Sequence, residues 1–568
     1  MSDLRRGAGR RGAGRRGRIC ALLGVVAIGA ATLTAVAAPA GAGGQARAQQ
    51  AAEPKSAQSK SAQSKSAQSK SGGSVNFGLE AETTGGFCLP DSVLAASGIQ
   101  VVTAIYDTLV TLNAKGEYVP YLAKSVEPNA DFTQWTITLR PGVQFHDGTP
   151  FDSAALKLNL DTYRGQNPNI KPRLNVFVWS NVATVEVTGP LSVVVTTKVP
   201  WVAFPALLSG SGRTGMVAPA QLVDRESCAT NMIGTGPFEL VDWRQNESLT
   251  VKKNENYWQQ GLPYLDEIVF RPLPDSQSRV NGLQSGDLDL MTTGNSQSIV
   301  DLKQSAKAGD TKVLVSDNGS ETAYLMLNVS KPPFDDPIAR QAVAAAGDAR
   351  ETNRIRNKGL NTISTGPFPP DNPAFVANNT RRHDVAKAKK LNAQYEKKHG
   401  QPISFEYLTN PEPETVAIAA LLKEQEAKAG IDVTIRTVDQ SSLINEAIAG
   451  DFQGAGWRNH PGGDPDTQYV WWHSGSPVNF GRINDPEIDR LLDEGRSEPD
   501  NAKRVAIYRE LNKLFGKELY NLWSWYALWA VGYQNNIKGV VGPPLPDGGG
   551  RPFALFAGVI PVLGISKT

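Results

Sequence analysis

Within residues 403–457, segments with the hydrophobic pattern of strands alternate with segments that have the hydrophobic pattern of helices. The runs 403–409, 431–438 and 451–457 (ISFEYLT, IDVTIRTV and DFQGAGW) have the length and apolar content of buried strands. Helical patterns over 413–430 and 440–450 separate them. Strands joined by such helices pair in parallel, because the crossover helix returns the chain to the same end of the sheet. The segment therefore predicts a doubly wound α/β unit.

Aromatic, basic and acidic side chains are concentrated after the third predicted strand. Gly454–Ser474 reads GAGWRNHPGGDPDTQYVWWHS. In open α/β sheets, ligands bind in the crevice beyond the carboxyl ends of the strands. Trp457 is therefore predicted to border a ligand cleft, whereas Trp471 and Trp472 are equally compatible with a hydrophobic core.

The spacing within this stretch disfavours a metal site. The side chains that could bind a metal ion are His460, Asp464, Asp466 and His473. The two histidines flank a loop with two prolines, and no i, i+3 or i+4 pair fixes a coordination geometry. We predict neither a metal nor another cofactor.

The first 40 residues have the order of a secretory signal peptide. An arginine-rich segment precedes the apolar run Ala21–Ala38, and Ala38-Pro39-Ala40 fits a cleavage site. An apolar run of this length also reaches the lower limit of a membrane span, so a retained anchor is the alternative. RRGRI is compatible with twin-arginine export instead of the general secretory route.

Residues 41–73 are predicted to be a flexible linker. The sequence SAQSK occurs three times in succession over 56–70, and it contains nothing that could form a core. Export followed by a tether places the folded body on the outer side of the cell membrane.

The charge of the folded body argues against nucleic-acid binding. Residues 1–70 hold 12 of the 58 basic and 2 of the 56 acidic residues, which leaves 46 basic against 54 acidic side chains, a net charge of −8, in 71–568. The body has no local basic stripe that would offset this charge. A chain of 568 residues is too long for one core, so two or three lobes are expected.

The two cysteines of the body, Cys88 and Cys228, are predicted to form a disulfide in an oxidising compartment. The alternative is two unrelated buried thiols. Cys20 precedes the apolar run and is not placed to become a lipid-modified N-terminus.

Motif searches favour a binding protein over an enzyme. GSGRTG at 210–215 matches a dinucleotide-binding pattern but lacks the strand before it and the helix after it. No phosphate loop, H-E-x-x-H or G-x-S-x-G motif occurs in the sequence. His146 lies within the turn-rich run 140–151 and is expected at the surface, because no nucleophile accompanies it.

The remaining clear patterns lie in the first half of the chain. Residues 74–80 and 133–139 are predicted strands, 182–198 a hairpin with a Gly-Pro turn, and 92–110 a helix.

Four blocks in order resemble the family 5 extracellular solute-binding proteins, which serve ABC importers of oligopeptides, dipeptides and nickel. The blocks are 121–151 (YLAKSVEPNADFTQWTITLRPGVQFHDGTPF), 233–258, 327–348 and 483–515. The resemblance extends from residue 74 nearly to the end of the chain.

The resemblance implies a two-lobed, periplasmic-binding-protein-like α/β fold of type II with an extra subdomain and a ligand cleft between the lobes. The implied first lobe is discontinuous and comprises 74–118, 225–322 and 525–568. An inserted subdomain covers 119–224, and the second lobe covers 323–524. The lobes are expected to close over a ligand and to dock on a permease.

The resemblance also implies a cleft wall: Trp457, Arg458, Asn459, His460 and Asp464. In peptide-binding relatives, an aspartate three residues after the cleft tryptophan holds the α-ammonium of the peptide. His460 occupies that position here, and a neutral imidazole cannot replace a carboxylate as counter-ion. A one-residue insertion would align Asp464 instead. From the opposite lobe, Glu80, Glu82 and Thr83 are implied as ligand contacts, with a solvated turn as the alternative.

The expected function is a monomeric extracytoplasmic receptor that captures peptides and delivers them to an ABC permease and its ATPase, without catalysis. The departure at His460 supports an alternative, a non-peptide solute such as a modified peptide, an opine, an oligosaccharide or a metal chelate. A hydrolase or chaperone on the same scaffold is the second alternative.

Overall fold

The computed structural model describes residues 72–83, 85–173, 176–318, 321–377, 382–459 and 462–568. The predicted signal peptide and all but the last two residues of the predicted linker lie outside the described residues, as does His460. Among the residues that are described, no helix is both long and apolar enough to span a membrane.

The strands are short and are distributed over the whole described chain. In chain order they are β1 (Ser74–Leu79), β2 (Val110–Leu112), β3 (Tyr118–Pro120), β4 (Ala123–Pro128), β5 (Gln134–Leu139), β6 (Val182–Gly189), β7 (Ser192–Thr197), β8 (Phe238–Arg244), β9 (Ser248–Lys253), β10 (Glu267–Pro272), β11 (Leu290–Thr293), β12 (Thr311–Ser316), β13 (Thr322–Leu327), β14 (Ser404–Thr409), β15 (Asp432–Thr437), β16 (Gly454–Asn459), β17 (Asn521–Tyr526), β18 (Trp529–Gln534), β19 (Ile537–Lys538) and β20 (Ser566–Lys567).

The helices lie between these strands. In chain order they are α1 (Ala96–Ile105), α2 (Ser153–Tyr163), α3 (Val176–Trp179), α4 (Phe204–Ser209), α5 (Arg225–Thr230), α6 (Ser276–Ser285), α7 (Ser296–Ala308), α8 (Pro337–Ala346), α9 (Ala349–Ile355), α10 (Val385–His399), α11 (Pro413–Ala427), α12 (Gln440–Ala449), α13 (Tyr469–Trp472), α14 (Pro486–Ser497) and α15 (Asn501–Glu518).

Aspartate is the recurring residue at the helix starts. Its side chain accepts hydrogen bonds from first-turn amides at the starts of α2, α5, α6, α8, α9, α10, α14 and α15. An aspartate in this position satisfies amides that have no partner within the helix and interacts favourably with the helix dipole. Part of the acidic excess of the body therefore stabilises helix ends.

Two large sheets form the two lobes. The first lobe is built on a seven-stranded sheet in the order β12-β18-β11-β1-β10-β9-β8. The second lobe is built on a five-stranded sheet in the order β15-β14-β16-β13-β17. The chain passes between these sheets twice, after β12 and after β17. The α/β, two-lobed fold class predicted from the sequence is confirmed.

The parallel unit predicted over 403–457 forms the edge of the second sheet. β14 pairs in parallel with β15 on one side and with β16 on the other. β13 continues the sheet antiparallel to β16. The third strand begins three residues later than the pattern predicts, at Gly454, and runs on to Asn459, so Arg458 and Asn459 are part of the strand and not of the loop after it.

A separate four-stranded antiparallel sheet, in the order β4-β5-β7-β6, lies within residues 119–224. The predicted hairpin over 182–198 is its β6–β7 pair, and the predicted strand over 133–139 is β5. The indole of Trp201 donates to Asp466 of the second lobe over 2.8 Å. Asp466 also accepts from Arg496 over 2.9 and 3.1 Å. These buried contacts hold the subdomain against the second lobe.

The helix predicted over 92–110 is too long at both ends, since α1 covers only Ala96–Ile105. The amide of Gly236 donates to the carbonyl of Ile105 over 2.9 Å, so this carbonyl is no longer available to the next helical turn. A β-carbon at Gly234 would lie 2.1 Å from the same oxygen. The segment with Gly234 and Gly236 packs so closely against Ile105 that the helix ends there. The hydrophobic pattern of the sequence does not report such a contact.

Asp107 lies just after α1 and is buried, with 4% of its surface exposed. Its carboxylate accepts from the indole of Trp258 over 2.8 Å and from the hydroxyl of Tyr257 over 3.2 Å. Burial raises the pKa of Asp107 to about 7, and these two hydrogen bonds only partly oppose the shift. Ionisation of the Asp107 carboxyl group near neutral pH therefore lowers the stability of the folded protein.

We expect Asp107→Asn to flatten the pH dependence of stability. The pKa of Asp107 is higher in the folded state than in the unfolded state, so the stability from its protonated form is complete below about pH 4 and is lost as pH rises to about 7. Because each pH unit between the two pKa values changes the stability of wild type by about 1.4 kcal/mol, the advantage of the asparagine variant over wild type should grow by about 3 kcal/mol from pH 5 to pH 8. Urea unfolding at the two pH values measures this difference, and parallel pH profiles for the two proteins would contradict it.

Candidate ligand cleft

A cavity of about 330 Å³ lies between the two lobes. Residues at the carboxyl ends of β1 and β11 line it from the first lobe, and residues of β13, β14 and β16 line it from the second. This is the position that the strand–helix pattern predicts for ligand binding. Its volume is at the lower end of the usual range for small-molecule sites.

The second-lobe wall contains three of the predicted site residues, Trp457, Arg458 and Asn459. The half-buried ring of Trp457 packs edge-on against Phe480, with ring centroids 5.2 Å apart. Asn459 is buried and donates to the side chain of Gln468. The wall therefore offers an aromatic surface and a basic group, while the amide of Asn459 is engaged in the protein.

Arg458 reaches across the cleft towards the first lobe. Its guanidinium lies 5.2 Å from the ring centroid of Trp529 and 3.6 Å from the carboxylate of Glu321. The side chain is 47% exposed, towards the cavity. Burial opposes its charge, but Glu321 and two other carboxylates outweigh burial and raise the pKa of Arg458. Burial raises the pKa of Glu321.

The first-lobe wall contains only one of the three residues predicted from the segment after β1. Glu80 lines the cavity, accepts from the amide of Gly294 over 2.8 Å and lies 3.4 Å from the buried guanidinium of Arg279. Glu82 instead accepts from the amides of Thr83 and Asn246, each over 2.7 Å. Glu82 and Thr83 are not among the cavity-lining residues.

Sequence reasoning missed four charged residues of the cavity: Arg213, Glu321, Glu412 and Glu414. Arg213 donates to the carbonyl of Leu94 over 2.9 Å, and burial lowers its pKa to about 10, so it is charged at neutral pH. Glu412 lies at the rim, where desolvation within the cleft raises its pKa. Glu412 follows β14, so the strand-end rule used for Trp457 could have identified it. Arg213 belongs to the GSGRTG segment and carries no comparable signal.

The acidic residues after β16 turn away from the cavity. The guanidinium of Arg504 donates to both carboxylate oxygens of Asp464, over 2.8 Å to one of them, and Asp466 binds Trp201 and Arg496. Neither aspartate lines the cavity. The structure therefore gives no support to the alignment that places Asp464 at the ammonium-binding position, because its charge is already paired.

The three candidate metal ligands that the structure describes, Asp464, Asp466 and His473, do not converge. His473 faces Asp489 and Asp493 at 3.9 and 3.6 Å, whereas Asp464 and Asp466 pair with arginines. Within the described part of the chain, no group of three or more His, Cys, Asp or Glu side chains is arranged to hold a metal ion.

His146 is more buried than its turn-rich surroundings suggest. One ring nitrogen accepts from the amide of Gly234 over 3.2 Å, and the other lies 3.0 Å from the carbonyl of Gly236. Burial lowers its pKa. The expectation of a surface histidine is wrong, because this ring fixes the glycine segment that ends α1.

Comparison with known proteins identifies the family. The model of the bacterial extracellular solute-binding proteins, family 5, matches residues 117–481, well over half of the chain. The chain belongs to this family. Family 5 proteins are solute-binding components of ABC importers, as the four sequence blocks predicted.

Individual proteins are similar to this solute-binding protein over most of their length. The glutathione-binding protein GsiB of Salmonella paratyphi A is 29% identical over 436 residues, which cover 74% of this chain and 82% of GsiB. Agropinic-acid-bound AgaA from A. tumefacien R10 superposes with a TM-score of 0.77 and 25% identity, covering 87% of this chain and 99% of AgaA. DppA from Helicobacter pylori, in complex with the peptide STSA, superposes with a TM-score of 0.76 and 23% identity, covering 88% of this chain and 98% of DppA.

The cleft of this solute-binding protein carries charges of both signs. Glu80, Glu321 and Glu412 face it, and they are balanced by Arg213, Arg458 and the Arg279 that pairs with Glu80. Glu414 also lines the cavity, but it is paired with Arg356 at 2.8 Å. A cleft with balanced charges favours a solute that itself carries both charges.

Proposed function

We propose that this protein is an extracytoplasmic receptor that captures a small zwitterionic solute, a short peptide, and delivers it to an ABC permease by closure of its lobes. The observation that carries the proposal is the presence of carboxylates and guanidinium groups from both sides of one aromatic-walled cavity. Oxygen Oε2 of Glu321 is buried and has no hydrogen-bond partner among the described residues.

Each charged end of the solute would have its own set of partners. Glu412 and Glu321 would hold the ammonium group, in place of the aspartate that His460 replaces. Arg213 and Arg458 would hold the carboxylate, and the Nε of Arg213 has no partner in the described chain. Trp457, with Phe480 behind it, would cover the apolar part of the solute.

A non-peptide solute with an acidic group is the second candidate. It is favoured by the likeness to AgaA, whose complex contains agropinic acid, and by the arginines in the cleft. Such a solute would use Arg213 and Arg458 but would not need Glu412.

We further infer that the protein binds its solute without transforming it and that it acts as a monomer. Export through the N-terminal 40 residues and a tether over 41–73 would keep it near the permease. The proposed lobe boundaries remain 74–118, 225–322 and 525–568 for the first lobe, 119–224 for the inserted subdomain and 323–524 for the second lobe.

The charged ends of the solute provide the test. We expect short peptides with free termini to raise the unfolding temperature, and N-acetylation or C-terminal amidation to weaken binding by about tenfold or more, because each removes a charge-assisted hydrogen bond. Differential scanning fluorimetry followed by titration calorimetry measures both effects. Binding that tolerates N-acetylation but not amidation would favour the acidic non-peptide solute.

Matched variants assign the roles of the residues. Glu412→Gln and Glu321→Gln should each weaken binding of free-amine peptides about tenfold and leave N-acetylated peptides unaffected. Glu510→Gln is the control, because Glu510 is 58% exposed and pairs only with Lys513 at the surface. Unchanged affinity in both cleft variants would contradict the proposed ammonium site.

A further inference from the structure

One part of the cavity extends away from Trp457 into the second lobe. It lies between α9, the loop that follows α9, and α11. We call it the asparagine pocket and define it by its lining residues: Thr352, Asn357, Asn361, Ile418, Leu422 and Gln425.

Two asparagine side chains of this pocket are buried without full hydrogen bonding. Asn357 and Asn361 are only 6% and 8% exposed. Nitrogen Nδ2 of Asn357 and oxygen Oδ1 of Asn361 have no hydrogen-bond partner in the described part of the chain. Buried amides are nearly always paired in folded proteins, because the loss of their hydration is otherwise not compensated. One donor and one acceptor therefore remain unused on two residues that line the cavity.

Gln425 and Asn353, beside these two amides, make hydrogen bonds that hold the pocket in shape, although oxygen Oδ1 of Asn353 has no partner among the described residues. The side chain of Gln425 accepts from the amide of Asp348 over 2.9 Å and donates to Glu351 over 3.0 Å. Asn353 donates to the backbone carbonyl of Asn361 over 2.8 Å. The pocket is therefore built from fixed groups.

The six side chains that define the asparagine pocket are uncharged. The nearby Glu414 is bonded to Arg356 through two hydrogen bonds of 2.8 and 3.2 Å. Ile418 and Leu422, both half-buried, supply an apolar surface from α11. A charged group of the solute would lose its hydration here without gaining a counter-ion, and an aliphatic group would leave both amides unpaired.

We propose that the asparagine pocket binds a carboxamide of the solute, such as the side chain of glutamine. The carbonyl oxygen of a carboxamide accepts from Nδ2 of Asn357, and its N–H group donates to Oδ1 of Asn361. Ile418 and Leu422 cover the methylene groups. This inference rests on the proposed function, because the charged ends of the same peptide occupy the part of the cleft near Arg458 and Glu412.

The test compares tripeptides that differ in one side chain. Gln-Ala-Ala, Ala-Gln-Ala and Ala-Ala-Gln are titrated into the purified full chain beside the same peptides with leucine in place of glutamine. We expect glutamine to bind at least tenfold more tightly than leucine at one of the three positions, because a site with buried donors and acceptors discriminates against a group that cannot pair with them. Asn357→Leu and Asn361→Leu should abolish this preference, and the surface control Asn256→Leu should retain it.

The possible results separate this inference from the proposed function. Equal binding of glutamine and leucine peptides would overturn the inference and leave the receptor function intact, as would a preference that survives both leucine variants. Failure of every tripeptide to bind would overturn the peptide proposal and the inference with it. If a leucine variant does not fold, Asn357→Ala tests the same contact, and it should lower affinity for the preferred glutamine peptide but not for its leucine partner.

Discussion

Replacing Asp466 with alanine is expected to lower the free energy of unfolding by about 3–5 kcal/mol. The carboxylate is 5% exposed, and its partner Arg496 is 1% exposed. The guanidinium of Arg496 lies over the rings of Trp201 and Tyr469, at 4.5 and 3.5 Å from their centroids. Alanine leaves this cation buried without its counter-ion and removes the acceptor of the Trp201 indole.

The effect should be largest where the inserted subdomain meets the second lobe. Trp201 belongs to the subdomain, whereas Asp466 and Arg496 belong to the second lobe, and the amide of Val202 donates to the carbonyl of Arg496 over 3.1 Å. Hydrogen exchange in Asp466→Ala should therefore increase first at this contact.

Two controls separate this mechanism from a general loss of charge. Glu510→Ala breaks an exposed ion pair with Lys513 and should change stability by less than about 0.5 kcal/mol. Asp466→Asn keeps an acceptor for Trp201 and should be less damaging than alanine. Denaturant unfolding measures all three variants, and a loss below 1 kcal/mol in Asp466→Ala would show that the cation finds other compensation.

The contrast between Asp466 and Trp457 shows what the sequence could predict. Trp457 was placed at the cleft because strand and helix periods are local and because parallel strands present their carboxyl ends to the same edge of a sheet. Asp466 lies only nine positions further, but its partners Trp201 and Arg496 are 265 and 30 residues away. No period or spacing reports such contacts, so the sequence offers Asp466 only as a member of a metal-ligand set that its spacing disfavours.

The charged residues of the cleft also divide into those that the sequence pattern can place and those that it cannot. Glu80 and Glu412 each follow a strand, so the strand-end rule reaches both of them. Arg213 enters the cavity from the inserted subdomain, after a short helix and two glycines in left-handed conformation. Its position depends on how the subdomain packs, which only the folded structure determines.

The second large effect concerns the disulfide between Cys88 and Cys228, whose sulfur atoms are 2.02 Å apart. The bond closes a loop with a sequence separation of 140. Restricting a loop of this length in the unfolded chain stabilises the folded state by about 5 kcal/mol in the chain-entropy model. The double variant Cys88→Ser/Cys228→Ser should lose stability of this order.

The loss should arise in the unfolded state, because other contacts hold the two segments together in the folded protein. The amide of Phe87 donates to the carbonyl of Ala229 over 2.9 Å, and the buried ring of Phe87 packs against Trp243 with centroids 5.0 Å apart. A folded double variant should therefore bind solute with nearly unchanged affinity while unfolding at a much lower denaturant concentration. Reductant should destabilise wild type and leave the variant unaffected, whereas a variant as stable as oxidised wild type would contradict the entropic mechanism.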